Sequence, residues 1–156
     1  MTTIARTLFL IVGGLWLSIG VATPLLLGKR IGPPMVYIST RTDMALFGEP
    51  PDRVLAGNPQ LAVLRQMLIR SLAGLLVAAG VAVIGLAWFG MRTPDRWVVA
   101  VLALVGIAVL PFWWSVFAPY RAAGIRLTIG DLPPFMWVPA ILMPVASILG
   151  WLGSSP

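Results

Sequence analysis

No Asp, Glu, Lys or Arg occurs within residues 7–27, 71–91, 97–117 or 135–152 of this 156-residue chain. The first of these runs, TLFLIVGGLWLSIGVATPLLL, lies between Arg6 and Lys29-Arg30. As an α-helix its 21 residues would extend about 31 Å, the thickness of a bilayer's hydrocarbon core. Runs of this length constrain the fold more than any other feature, because backbone crossing lipid must satisfy its own hydrogen bonds, which helices do. The whole chain is 59% hydrophobic and 10% charged, with a mean hydropathy of +0.96. Its eleven basic and five acidic residues are too few to cover a soluble core of this composition. The expected fold is an all-α integral membrane protein, a single four-span domain over 1–156. Its four transmembrane helices form an antiparallel bundle, with an ordered 40-residue connector (28–70) between the first and second.

A secretory signal peptide is the rival reading of the first run, with Gly20-Val21-Ala22 as its cleavage site. The apolar run continues past that site through Leu25-Leu27, which favours a retained helix. The turn from Arg92 to Arg96 is so short that the second and third helices must be neighbours of opposite direction. Pro111 falls in the last third of the third run, and Pro139 and Pro144 should bend or shorten the fourth. Small residues recur every four positions in two helices, at Gly14, Ser18 and Ala22 and again at Gly74, Ala78 and Ala82. Stripes of that kind let membrane helices approach closely, so these two are expected to pack on each other.

The formal charge of +6 would suggest nucleic acid in a soluble protein. Here the cations sit in loops between spans, where they set orientation and meet anionic head groups, and no nucleic-acid partner is expected. The connector side carries Lys29, Arg30, Arg41, Arg53, Arg65, Arg70, Arg121 and Arg126, whereas the opposite side carries Arg6, Arg92 and Arg96. The positive-inside bias therefore puts the long connector in the cytoplasm of a cell-membrane protein and both termini outside.

The connector holds three of the five carboxylates, Asp43, Glu49 and Asp52. Gly32-Pro33-Pro34 stops any helix, 36–40 favours an extended path, and 43–47 suits a short helix ended by Gly48. Asn58-Pro59 pairs an N-cap with a proline at the first helical position, so 59–70 reads as a helical run-in to the second span. Met35, Val36, Ile38, Met44, Leu46 and Phe47 are too apolar to stand in water. They are expected to fold back as a cap on the third helix's aromatic end (Phe112, Trp113, Trp114, Phe117, Tyr120) and on Trp137. Asp43 and Asp52 would there meet Arg41, Arg53, Arg121 or Arg126. These seven residues, Glu49 included, are the candidate contacts for lipid or a partner.

Few reaction chemistries fit the sequence. It has no cysteine or histidine, which excludes disulfides, thiolate or imidazole metal ligands and histidine general bases. Glu49 and Asp52 flank Pro50-Pro51 and cannot share a helical face, and no calcium loop, phosphate loop or G-x-S-x-G elbow is present. No metal site or cofactor is expected. Proton-driven transport needs titratable groups inside the membrane, and the spans offer hydroxyls instead, among them Ser18, Thr23, Ser71, Ser115 and Ser147, each able to bond its own helix. The sequence points to a non-catalytic accessory, scaffold or assembly partner, bound to the bilayer and to a membrane-protein partner or a second copy. The alternative is a membrane enzyme or lipid-handling protein with a head-group-level site at 41–53.

Overall fold

The computed structural model describes residues 1–28, 37–93 and 95–154. Lys29, Arg30, Gly32-Pro33-Pro34, Met35 and Val36, to which the sequence reading assigned roles, lie outside the described residues. The described chain is all-helical: α1 (Thr2–Gly28), α2 (Thr40–Phe47), α3 (Pro51–Gly57), α4 (Pro59–Phe89), α5 (Arg96–Ala108), α6 (Leu110–Ala122) and α7 (Pro134–Gly153). Short 3-10 turns at Gly90–Arg92 and Ile129–Asp131 join them. Four helical stretches are long and apolar enough to cross a membrane: Thr2–Leu26, Pro59–Arg92, Arg96–Ala122 and Pro134–Gly153.

Asn58 caps α4 as its sequence suggests, its side-chain oxygen accepting from the Leu61 amide at 3.0 Å. From Pro59 the helix runs 31 residues without a break, so the run-in and the second span are one element. Between α2 and α4, Pro50-Pro51 does more than break a helix. Pro51 occupies the first position of α3, where its missing N–H costs nothing.

The third span is two helices rather than one. Helix α5 ends at Ala108 and α6 starts at Leu110, with Val109 in a turn between them. Pro111 accounts for the break, because it cannot donate to the carbonyl four residues back and its ring crowds that turn. By contrast, α7 stays helical through Pro139 and Pro144. Pro139 leaves the Phe135 carbonyl without its normal helical donor, and the Trp16 indole of α1 supplies one at 3.0 Å. Serine and threonine hydroxyls turn back on their own helices as expected: Thr23 to the Ile19 carbonyl, Ser115 to that of Pro111 and Ser147 to that of Met143.

The apolar core gathers Phe9, Val12 and Trp16 from α1, Val83 and Ala87 from α4, Val99 and Leu102 from α5, and Met143 and Ala146 from α7. Helix α1 is at its centre, packed on both α4 and α7.

The α1–α4 crossing uses different small residues from those the four-residue stripes predict. Gly74, Ala78 and Ala82 are exposed, Ser18 is exposed, and an added Cβ at Gly14 would meet nothing within 4 Å. Close approach occurs instead at Gly13, Gly20 and Gly80. A Cβ on Gly80 would lie 2.7 Å from the Leu17 amide nitrogen, and one on Gly20 would lie 2.7 Å from the Ala73 carbonyl oxygen. The small residues at the crossing are spaced by seven: Gly13 and Gly20 in one helix, Ala73 and Gly80 in the other. A seven-residue period keeps one seam facing a partner over successive turns, whereas a four-residue stripe drifts around the helix. Gly80→Ala is expected to lower stability in detergent by about 1–3 kcal/mol, since backbone must move to admit the methyl group. Gly74→Ala is expected to be neutral or stabilising by up to about 1 kcal/mol. Paired thermal melts check both.

A carboxylate latch at the connector end

Two buried aspartates, one from each longer connector, organise the end of the molecule where α1 finishes and α4 begins. The first is in α2. Ser39, in extended conformation, caps this helix, its hydroxyl accepting from the Thr42 amide at 3.3 Å and lying 2.8 Å from the Thr42 hydroxyl. Gly48 ends it in the left-handed region at φ 74°, where its amide bonds the Met44 carbonyl. A β-carbon is disfavoured in that conformation, so a glycine stops the helix cleanly.

With both ends of α2 set, Asp43 in its first turn faces inward and has 0% of its surface exposed. Its Oδ2 accepts from the Tyr37 amide at 2.8 Å, and its Oδ1 accepts from the Tyr120 hydroxyl at 2.8 Å and the Ile38 amide at 3.4 Å. The positive charge of Arg65 on α4 attracts it as well. One carboxyl group thus ties the chain before α2, α2 itself and α6 together.

The second aspartate, Asp131, closes the 3-10 turn after α6. Thr128 and Asp131 form a reciprocal capping box: the Thr128 amide donates to Asp131 Oδ2 at 2.9 Å and the Thr128 hydroxyl to the same oxygen at 2.6 Å. Arg41 of α2 reaches across with a fork. Its Nε donates to Oδ1 at 2.8 Å and its Nη2 to Oδ2, while Nη2 also bonds the Arg126 carbonyl at 3.0 Å. The Ser39 hydroxyl adds a bond to Oδ1 at 3.3 Å. The Arg41 fork, aided by Thr128, holds the Asp131 carboxyl well below the usual carboxylate range against the opposing effect of burial.

Of the seven candidate contacts, the fold brings together Arg41, Asp43 and the backbone of Arg126. Asp43 takes backbone amides and a phenol as hydrogen-bond donors, and the arginine whose charge attracts it is Arg65 rather than one of the four expected. Glu49, Asp52 and Arg53 are exposed and stand outside this network. Arg121 lies over the Trp114 ring, 3.6 Å from its centroid, and donates to the Trp114 carbonyl at 3.3 Å. Tyr37, through its amide, and Tyr120, through its hydroxyl, meet at Asp43. Ile38 is buried, whereas Met44 and Phe47 are exposed. Sequence reasoning missed Asp131, Ser39 and Thr128. The signal was available in Thr128-Ile129-Gly130-Asp131, a hydroxyl residue three positions before an acid.

Beneath the latch is an apolar cavity of about 120 Å³, walled by Ile69, Leu72 and Leu76 of α4, Trp113 of α6 and Phe135 and Met136 of α7. No group of three or more His, Cys, Asp or Glu side chains suited to a metal ion occurs among the described residues. No protein-family model matches the chain, and no curated protein or solved structure matches it either.

The latch makes stability depend on pH in a defined sense. Folding lowers the Asp131 pKa, so its stabilising contribution is complete above the unfolded-state value, about pH 4, and is lost as pH falls through the folded-state value. Asp131→Asn is expected to melt below the unaltered chain at neutral pH. That gap should narrow as the buffer is taken from about pH 5 to pH 3, which melting curves across that range check.

Proposed function

We propose that the chain is a multi-pass protein of the cell membrane with a non-catalytic role, an accessory or scaffold subunit that docks another membrane protein. In this reading the four spans form an antiparallel bundle, and the segment from 37 to 57 is an ordered cap over one end. The observation that carries the proposal is the commitment of both gathered carboxylates to structure. Asp43 is closed off by two amides and a phenol, and Asp131 by Arg41, Ser39 and Thr128. An acid or base for catalysis must reach a substrate proton, and these two face protein donors. The opposing senses of the α1–α4 contacts, Gly13 with Gly80 and Gly20 with Ala73, support the antiparallel arrangement.

The excess of basic residues on the connector side supports a cytoplasmic cap with both termini outside. A cysteine placed at Glu49 is therefore expected to react with an impermeant maleimide only after cells are opened. Reaction on intact cells would reverse the orientation.

Outside the four spans the cap displays Met44 and Phe47 at 51% and 44% exposure, next to the half-exposed Tyr37. Apolar side chains on a segment that is itself fixed in place suit a partner at the head-group level. A photo-crosslinking residue at Phe47 is expected to yield one discrete protein adduct in native membranes. The same residue at Leu104, exposed in α5, is expected to yield lipid adducts only. Lipid adducts at both positions would contradict the docking role. A membrane enzyme using 41–53 is the weaker reading, because Glu49 and Asp52 stand outside the latch.

A further inference from the structure

The cavity beneath the latch is one end of a longer apolar groove. It shares Leu72, Leu76 and Trp113 with a second cavity, which in turn shares Gly106, Ala140 and Met143 with a third that ends at Ser147 and Ile148. Along α7 the lining runs from Pro133 to Ile148, about 22 Å by the helical rise, enough for one acyl chain of a single leaflet in a core about 30 Å thick. The groove follows from the break at Val109. Helix α5 packs on α7, whereas α6 leans toward α2 and leaves a gap that Trp113 bridges only at ring distance, 6.0 Å from Phe135.

The top of the groove is polar. An open pocket containing Ser39, Thr40, Arg41 and Asp131 shares Ile38 and Pro133 with the first cavity. The carboxylate there is already occupied: both Asp131 oxygens accept from Arg41 and from Ser39 or Thr128. Among the described residues Arg41 Nη1 takes up no hydrogen bond, and 59% of the side chain is exposed. Arg126 and Arg121, both exposed, add positive charge on the same side. A guanidinium with free N–H groups at the head of an acyl-sized groove complements a phosphate on a chain.

We infer that this groove binds one anionic phospholipid of the connector-side leaflet, with its phosphate at Arg41 and one acyl chain along Leu72, Trp113, Met136, Ala140 and Met143. The inference rests on the membrane-spanning reading but not on the docking role. Release of the chain from membranes by alkaline carbonate would defeat that reading itself.

The test uses the full chain, delipidated in mild detergent and titrated with phosphatidylglycerol or phosphatidylcholine while native mass spectrometry counts the bound lipid. One phosphatidylglycerol per chain is expected, bound about fivefold or more tightly than phosphatidylcholine. Ala140→Phe, an exposed position inside the groove, is expected to weaken it roughly tenfold. Ala100→Phe, exposed outside the groove, should leave it unchanged. Arg41→Gln should abolish the preference for the anionic head. If that variant loosens the cap, the lipid comparison and Ala140→Phe decide by themselves. Equal binding of the two lipids, indifference to Ala140→Phe, or competition by inorganic phosphate alone would each overturn the inference.

Discussion

A carboxyl group with none of its surface exposed is tolerated in a fold only when its oxygens are hydrogen-bonded, and Asp43 is such a group. Held in α2, it accepts from the amides of Tyr37 and Ile38 before that helix and from the Tyr120 hydroxyl of α6, and the charge of Arg65 on α4 attracts it. These bonds tie the described residues 37–43 to α6. Arg41, two residues before Asp43 and on another face of α2, bonds the second connector through Asp131. The two aspartates act in series. If Asp43 were released, Arg41 would lose the frame that aims its fork.

Below the latch the architecture depends on prolines and on small residues at a seven-residue period. Gly13, Gly20 and Gly80 bring α1 and α4 into backbone contact, and this close pair forms the floor on which α5 and α7 pack. Pro111 divides the third span, and the second half of that span becomes the strut that reaches the latch through Tyr120. Pro139 frees a carbonyl that Trp16 takes up, so the defect that proline introduces into α7 becomes a tie to α1. The apolar groove is the space this divided span leaves open.

Much of this was legible in the sequence. Uncharged runs locate all four apolar helices, Asn58-Pro59 marks the start of α4, and Gly48 the end of α2. Those features are local, set by backbone chemistry within a few residues. The helix-packing face was not legible from four-residue spacing, because Gly14 and Gly13 are adjacent in sequence but lie about 100° apart around the helix. The contacting face is carried by small residues seven apart, Gly13 with Gly20 and Ala73 with Gly80. Pairing at the latch was harder to see. Charge matches Asp43 with a loop arginine, whereas the arginine whose charge acts on it is Arg65 of α4 and its hydrogen bonds include a phenol 77 residues away and two amides. Asp131, the partner of Arg41, follows a threonine by three positions, but so does Asp43, so that spacing does not by itself tell which carboxylate takes the arginine.

The account stands or falls on whether the connector is held as a cap. Hydrogen exchange on the full chain in lipid nanodiscs measures this directly at the amides of Tyr37 and Ile38, which donate to Asp43, and along α2. The latch predicts slow exchange at those amides and through α2, faster exchange in the exposed α3, and loss of the protection in Asp43→Asn. Exchange across 37–47 as fast as in an unstructured peptide would contradict it.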